Sequence, residues 1–353
     1  MVNTSEHKLT LWKIMFLLFL IIGSVWIICK QKDTPYQTNH GLIFGTVYNI
    51  TYQYDKDLND EILQVLNDVD ASLSPFNDTS VITKINKDAH PLHVISARAP
   101  LREHFTEVFR LAERISKETD GGFDITVAPL VNYWGFGFQN ADADTKDNRV
   151  AVDSIRQFVG YRKVHLSNNR ITKDDARLML DCSAIAKGYG ADMVARHLYD
   201  KGIRNYMVEI GGEIVSHGIS PRRIPWRIGV TKPVDDSLSV NDDVQTMLNV
   251  SDVCLATSGN YRKFYYRNGR KYAHTIDPAT GFPVQHNILS ATVIAPSCAE
   301  ADAYATAFMV MGAEKAKAIL SRHPQLMAYL ICSDAKGRNT VWFSPKMKSL
   351  ICK

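Results

Sequence analysis

The fold class is decided by residues 253–294, which read VCLATSGNYRKFYYRNGRKYAHTIDPATGFPVQHNILSATVI. From Trp226 to Ile294, segments rich in β-branched and aromatic residues are separated by turn residues and not by helical patterns. Consecutive strands joined by short turns pair antiparallel, whereas a parallel series needs a helix between its strands. The sequence therefore predicts an α+β fold with antiparallel sheets.

Segments on both sides of this region complete the pattern. Residues 34–40 read as a linker, after which Leu42–Tyr54 and, further on, Tyr206–Ile210 read as strands. Residues 140–148 are polar and loop-like. Apolar residues at helical spacing predict helices at Glu61–Val69, Leu101–Ile115, Ala184–Tyr199 and, in two pieces broken near Gly312, Cys298–Leu320.

The composition is that of a folded protein whose partner is not nucleic acid. Apolar residues make up 45% of the chain, which is enough to build a core. The 41 Lys and Arg residues against 37 Asp and Glu give a net charge of only +4, without a dense basic run. Because residues 34–353 exceed the roughly 250 to 300 at which one core usually stops growing, we predict two lobes. The 6 Cys include no C-x-x-C motif, so no zinc or redox motif is indicated, and disulfide pairing stays open.

The first 33 residues have the pattern of a membrane anchor or signal. Ile14–Cys29 carries no charge, and reaching back to Leu9 makes the segment just long enough to span a bilayer as a helix. The bulky residues at 26–28 argue against an ordinary cleavage site, which favours a retained anchor. Lipid attachment at Cys29 is the alternative.

A carboxylate and a hydroxyl lie four residues apart in the predicted helix at 301–306, which reads ADAYAT. On a helix, Asp302 and Thr306 share one face. Their oxygens are hard ligands of the kind that Mg²⁺ binds. The pair suggests a Mg²⁺ site, although the same spacing also suits a solvated Asp beside a core-facing Thr.

The segment at 274–281, HTIDPATG, ends a strand in a turn that carries His274 and Asp277. Turns at strand ends often carry catalytic groups, and a His accepts a proton near neutral pH. The alternative is that Asp277 serves the turn only and that His274 is an ordinary polar strand residue.

Other residues suggest a phosphate-binding surface. Lys187 lies near the start of a Gly-containing helix, where it could neutralise a phosphate that approaches the backbone. The Gly211-Gly212 pair follows a strand and either admits a ligand close to the backbone or makes a turn. Asp181 precedes the same helix as Lys187. The segment with Asp124 combines a carboxylate with aromatic residues that suit a flat ring or the core, and Ser258 supplies a hydroxyl that is unspecific alone.

Taken together and in this order, these segments resemble the ApbE family of flavin transferases, enzymes that move FMN from FAD onto a protein Thr or Ser. The resemblance covers about residues 41–331. It rests on FGTVY (44–48), LSPF (73–76), FDITVAPLVNYWGFG (123–137), AIAKGY (184–189), IGGE (210–213), ATSGNY (256–261), HTIDPATGFP (274–283) and ADAYATA (301–307). Chance does not explain so many matching segments in the same order along the chain.

The resemblance implies a duplicated T-fold-like α+β architecture, with antiparallel sheets and packed helices. It implies that Mg²⁺ is bound by Asp302, Thr306 and the backbone carbonyl of Ala184. It implies that FAD is contacted by Phe44, Phe76, Asp124, Asp181, Lys187, Gly211, Gly212, Ser258 and Ile276. We expect His274 to be the catalytic base and Asp277 to orient it or to share that role. Phe44 and Phe76 stand where Met and Tyr are common in the family.

The implied reaction is a Mg²⁺-dependent transfer of FMN from FAD to a Thr or Ser hydroxyl of a flavoprotein, with release of AMP. Two alternatives are an FAD pyrophosphatase that gives FMN and AMP, and a membrane-anchored FAD-binding protein without chemistry. The implied acceptors are flavoprotein subunits of ion-coupled redox complexes that carry a D-x-x-[ST]-G-A-[ST] segment, which this chain lacks. The expected location is the bacterial inner membrane, with the catalytic domain in the periplasm.

Overall fold

A computed structural model describes residues 4–139, 148–233, 244–261, 263–267 and 269–352 of the chain. The strands are β1 (Tyr36–Ile43), β2 (Thr46–Gln53), β3 (Leu92–Val94), β4 (Val164–Ser167), β5 (Arg170–Lys173), β6 (Tyr206–Ile210), β7 (Glu213–His217), β8 (Trp226–Thr231), β9 (Val244–Val250), β10 (Val253–Gly259), β11 (Phe264–Arg267), β12 (Arg270–Ala273), β13 (Ile288–Ala295), β14 (Met327–Ser333) and β15 (Asn339–Phe343). The α-helices are α1 (Thr4–Asp33), α2 (Asn59–Leu73), α3 (Val81–Lys87), α4 (Ala99–Glu118), α5 (Ala128–Tyr133), α6 (Arg149–Arg156), α7 (Ala186–Asp200), α8 (Cys298–Met311) and α9 (Ala313–Arg322).

The main sheet contains eight strands in the order β1-β2-β6-β7-β10-β13-β14-β15. Three smaller sheets are formed by β3-β5-β4, by β8-β9 and by β11-β12. The strand pairs of the described residues are antiparallel. The predicted α+β fold with antiparallel sheets is therefore confirmed, whereas the division into two lobes stays a prediction.

The prediction of one strand at Leu42–Tyr54 after a linker was wrong. The chain forms a hairpin of β1 and β2, and β1 includes most of the predicted linker. Phe44 and Gly45 occupy the two turn positions, with φ of 52° and 71°. Positive φ at both central residues is the geometry of a two-residue hairpin turn, and a Phe is an unusual residue for its first position.

The other predicted elements are confirmed to within a few residues. The strand at Tyr206–Ile210 has the predicted bounds. α8 and α9 are the two predicted helical pieces, and the break at Gly312 has φ of 80°. Of the predicted loop at 140–148, residues 140–147 lie outside the described part of the chain.

The N-terminal segment is helical from Thr4 to Asp33, and the side chains described on it run from Trp12 to Ile28. The large apolar side chains along this stretch, such as Phe19 and Trp26, are exposed. No helix in the described part of the chain reaches both the length and the apolar character needed to cross a membrane. The predicted anchor stays a prediction.

Two helices cover one face of the main sheet and position the site. α8 packs on β10 and β13, and α7 packs against α8 and β6. α8 is almost wholly buried, and small residues between Ala299 and Ala307 let its neighbours approach closely. The closest approach is at Gly188 of α7, where a Cβ would lie 2.3 Å from the carbonyl oxygen of Cys298. The side chain of Ser297 accepts a hydrogen bond from the Glu300 amide (3.2 Å), which caps the start of α8.

Candidate functional site

A cavity of about 1420 Å³ lies between the helices α7 and α8, the β1–β2 turn and β8. Ligand pockets usually have volumes of roughly 300 to 1,000 Å³, so this cavity can hold more than one ordinary ligand. Of the residues predicted for the site, all except Asp277 line it. Those that do are Phe44, Phe76, Asp124, Asp181, Ala184, Lys187, Gly211, Gly212, Ser258, His274, Ile276, Asp302 and Thr306.

Asp302 and Thr306 share the face of α8 that borders the cavity, as their spacing predicts. Asp302 is 2% exposed, and its Oδ2 accepts a hydrogen bond from the Gly188 amide (3.1 Å). The Thr306 hydroxyl lies 3.1 Å from the Ser258 hydroxyl at the end of β10. Two elements that are far apart in the sequence thus place three polar side chains side by side.

A buried cluster of charges forms the floor of the cavity. The Lys187 ammonium lies 3.2 Å from Oε1 of Glu213 and 3.7 Å from Oδ2 of Asp302. Burial opposes the charge of Lys187, but the carboxylates of Asp302 and Glu213 outweigh it and raise the pKa of the lysine. Burial raises the pKa of both carboxyl groups, although Lys187 opposes this. Lys187 is therefore a fixed cation beneath the cavity.

His274 follows β12 at the edge of the cavity and is half-buried. Its Nδ1 lies 3.3 Å from the carbonyl oxygen of Lys263. Because a carbonyl can only accept, Nδ1 carries the hydrogen in this contact and Nε2 keeps its lone pair. Burial, helped by the positive charge of Lys263, lowers the pKa of His274 to about 4. The side chain is therefore a neutral imidazole at pH 7, able to accept a proton.

The structure gives Asp277 a different environment from the one predicted. Its Oδ1 accepts a hydrogen bond from the Ala279 amide (2.9 Å), and its Oδ2 accepts one from the Thr280 hydroxyl (3.0 Å). Both oxygens therefore hold the turn, and the residue does not line the cavity. The partner that the structure gives to Nδ1 of His274 is the Lys263 carbonyl, and the role predicted for Asp277 stays a prediction.

Asp124, which is buried, and Asp181, which is half-buried, border the cavity with backbone partners. Asp124 accepts hydrogen bonds from the amides of Thr126 (2.8 Å) and Tyr161 (2.7 Å), and it thereby holds two loops together. Asp181 accepts one from the Ser183 amide (2.8 Å). Burial raises the pKa of both carboxyl groups, against these hydrogen bonds. Their predicted contacts with FAD stay predictions.

Two tight turns bring backbone to the cavity. The Phe44 ring lies close to α7, since a Cβ on Gly190 would be 2.7 Å from it. Gly211 and Gly212 form the β6–β7 turn with φ of 64° and 102°, so the turn interpretation of this pair is confirmed. The turn also lines the cavity, and nothing lies within 4 Å of a Cβ built on Gly212. Phe76 is 68% exposed at the same cavity and contacts Phe138 edge-on.

Glu213 was missed as a site residue from the sequence. It is 2% exposed, it lines the cavity, and its Oε2 has no hydrogen-bond partner among the described residues. The IGGE segment was recognisable, but only the fold brings its carboxylate against Lys187. Arg227 and Lys263 also line the cavity, and no sequence signal marked them.

The residues present fit a divalent cation. Asp302, Thr306 and Ala184 supply hard oxygen atoms on the cavity wall. Two carboxyl groups face a single ammonium here, and a cation beside them would favour their ionised forms against burial. Among the residues that the structure describes, no group of three or more His, Cys, Asp or Glu is arranged as a metal centre. Mg²⁺ needs none, because it commonly keeps water molecules and binds substrate phosphates.

Comparisons with known proteins identify relatives of the chain. The model of the ApbE family matches residues 44–331. A curated protein of Vibrio cholerae named FAD:protein FMN transferase is 38% identical over 300 residues, which cover 83% of this chain and 87% of the relative. The Escherichia coli K12 protein of the same name is 33% identical over 92% of this chain and 93% of its own. The solved structure of the flavin transferase ApbE from Vibrio cholerae matches with a TM-score of 0.77 and 34% identity, over 90% of this chain and 100% of that one.

Proposed function

The chain belongs to the ApbE family, and we propose that it is an FAD:protein FMN transferase that moves FMN from FAD to a Thr or Ser hydroxyl of an acceptor protein and releases AMP. One observation carries the proposal: His274 and the part-buried Lys187 face the same cavity of about 1420 Å³. That volume exceeds the usual roughly 300 to 1,000 Å³, as expected where FAD and a segment of a second protein must meet.

The reaction exchanges the phosphoanhydride bond of FAD for a phosphate ester on the acceptor. The acceptor oxygen forms a bond to the FMN phosphorus, the bond from that phosphorus to the bridging oxygen breaks, and AMP leaves with the bridging oxygen. Such reactions depend on positioning and on neutralising charge on the phosphates. Lys187, held between Glu213 and Asp302, supplies a fixed positive charge for this purpose.

His274 takes the proton of the acceptor hydroxyl. Its Nε2 keeps a lone pair because Nδ1 donates to the Lys263 carbonyl. A base is needed because a Thr or Ser hydroxyl is a weak nucleophile at neutral pH. With Asp277 engaged in its turn, the imidazole orientation depends on that carbonyl and on the edge contact with Phe136.

A Mg²⁺ ion would be held by Asp302, Thr306 and the carbonyl of Ala184. When bound there, it supplies positive charge to phosphate oxygens. The oxygen atoms of Asp302 and Thr306 on one face of α8 at the cavity support this assignment.

We further propose that the acceptor is a flavoprotein subunit of an ion-coupled redox complex with a D-x-x-[ST]-G-A-[ST] segment. The chain would act at the bacterial inner membrane, anchored by residues 1–33, with its catalytic domain in the periplasm. The exposed apolar side chains of α1 support such an anchor.

The decisive experiment mixes the protein with FAD, Mg²⁺ and a protein that carries D-x-x-T-G-A-T. The mass of the acceptor and the released AMP are both measured. We expect an acceptor heavier by one FMN, with equimolar AMP, and no product with the His274→Gln variant or with an acceptor whose Thr is replaced by Ala. AMP and free FMN without added mass would indicate the pyrophosphatase, and FAD binding without AMP would indicate a binding protein.

A further inference from the structure

Glu213 is a buried acceptor that the protein itself only half satisfies. It is the first residue of β7, directly after the Gly211-Gly212 turn, and is 2% exposed. Its Oε1 lies 3.2 Å from the Lys187 ammonium, while Oε2 has no hydrogen-bond partner among the described residues. The cavity wall includes this residue.

An unpartnered buried carboxylate oxygen is costly, and native structures rarely retain one without a function. Holding Lys187 does not explain it, because one oxygen serves that contact and Asp302 provides a second carboxylate at 3.7 Å. The backbone before it is uncrowded, since a Cβ on Gly212 would meet no atom within 4 Å. The second oxygen therefore lacks a partner among the described residues, at a residue that lines the cavity.

The chemistry of that oxygen restricts the ligand group. One oxygen of Glu213 is taken up by Lys187, and the other accepts hydrogen bonds, so the partner that it lacks is a donor. Lys187, which neutralises the pyrophosphate under the proposed function, is bound to the same carboxylate. In FAD the donors next to the pyrophosphate are the hydroxyls of the ribityl chain and of the ribose.

We propose that Glu213 accepts a hydrogen bond from a sugar hydroxyl of FAD through Oε2 while it positions Lys187 through Oε1. The proposal rests on FAD being the substrate, as proposed above. Glu213 is then a substrate-binding residue that contacts the sugar next to the phosphates.

The test measures FAD affinity of the full chain by flavin fluorescence, with EDTA and then with Mg²⁺, for the native protein and for Glu213→Gln. A Gln keeps the size and turns its one oxygen to Lys187, so it presents a donor to the sugar hydroxyl. Loss of this acceptor leaves the hydroxyl unsatisfied and predicts FAD affinity weaker by roughly 10- to 100-fold. The affinity for inorganic pyrophosphate, measured by its competition with FAD, should fall less than about threefold in the same variant.

Glu107→Gln is the matched control. That carboxylate bonds the Tyr189 hydroxyl (2.9 Å) and Arg196 (3.3 Å) outside the cavity, and its variant should bind FAD as the native protein does. Thermal unfolding of each variant separates weak binding from misfolding, and Glu213→Asp, which keeps the charge but shortens the side chain, provides a second variant that should also bind FAD weakly.

Three results would overturn the inference. If Glu213→Gln binds FAD as tightly as the native protein does, the proposed hydrogen bond is refuted. If the variant loses affinity for FAD and for pyrophosphate equally, Glu213 only positions Lys187. If FAD affinity falls only in the presence of Mg²⁺, Glu213 is a metal ligand. All three leave the transferase proposal standing, whereas a native protein that binds no FAD would refute both.

Discussion

At the scale of single residues, the protonation of His274 is the most direct test of the site. Burial and the charge of Lys263 lower the pKa of this imidazole to about 4, whereas an exposed His titrates near 6.5. We expect NMR titration of ¹³C-labelled histidine rings to show one half-buried ring that stays neutral until the pH approaches 4. The His274→Gln variant identifies the signal by its loss.

The sign of the linked stability follows from the same shift. Between about pH 6.5 and 4 the unfolded chain protonates His274 and the folded chain does not, so this group lowers the free energy of unfolding as the pH falls through that window. Circular dichroism at each pH shows whether the protein is still folded. A midpoint near 6.5 in the folded protein would contradict the buried environment and, with it, a base that is neutral well below pH 7.

The site residues differ in how well the sequence predicts them, and the reason is physical. Asp302 and Thr306 are predictable because helical spacing alone puts them on one face. Glu213 is not, because its contact with Lys187 requires the β6–β7 turn to meet α7. For Asp277 the sequence alone cannot separate two roles, because an Asp before Pro in a turn is expected both where the carboxylate holds the turn, as it does here, and where it serves catalysis.

At the scale of elements, the packing of α7 on α8 depends on Gly188. A Cβ at this position would lie 2.3 Å from the carbonyl oxygen and 2.6 Å from the carbonyl carbon of Cys298, both backbone atoms of α8. Backbone atoms cannot move aside by a change of rotamer as side-chain atoms can, so Gly188→Ala should force the two helices apart. We expect the free energy of unfolding to fall by about 1 to 3 kcal/mol or more, as for other overpacked cores. Urea denaturation measures it.

Gly190→Ala is the matched control two residues further along α7. Its Cβ would meet the Phe44 ring at 2.7 Å, the end of a side chain that can turn away. Its stability loss should therefore be clearly smaller. Equal losses for the two variants would show that the approach of the backbones at Cys298 does not limit the packing.

Element boundaries were hardest to predict at the β1–β2 hairpin. A turn is usually recognised by Gly, Asn or Asp at both central positions, but here Phe44 takes the first with φ of 52°. A Phe between apolar and β-branched residues reads as continuing strand, so the hairpin was missed. The cavity-facing position of the ring gives a reason for an aromatic residue at a site that local geometry disfavours.

At the scale of the whole molecule, connection length predicted the class of fold but not the order of the strands. Short turns between strands led correctly to antiparallel pairing, as in β6 and β7. The neighbour of β2 is β6, and Tyr48 pairs with Ile210 across a long intervening segment. Such non-local pairing follows from packing of the entire core, which no local pattern encodes.

The whole-molecule prediction concerns α1, which we propose as an anchor independent of the folded domain. Among the described residues, the apolar clusters of the core include none from α1. The chain is fixed to the domain from residue 34 onward, where the Thr34 carbonyl accepts a hydrogen bond from Gln53 (2.9 Å). We therefore expect a chain shortened to residues 34–353 to keep its free energy of unfolding within about 0.5 kcal/mol and to bind FAD unchanged.

The full chain should sediment with membranes after a high-salt wash and the shortened chain should not. The Cys29→Ser variant, which removes the residue for lipid attachment and keeps the helix, should still sediment. A full chain that stays in the aqueous fraction would refute the anchor, and loss of sedimentation in Cys29→Ser alone would assign the attachment to a lipid.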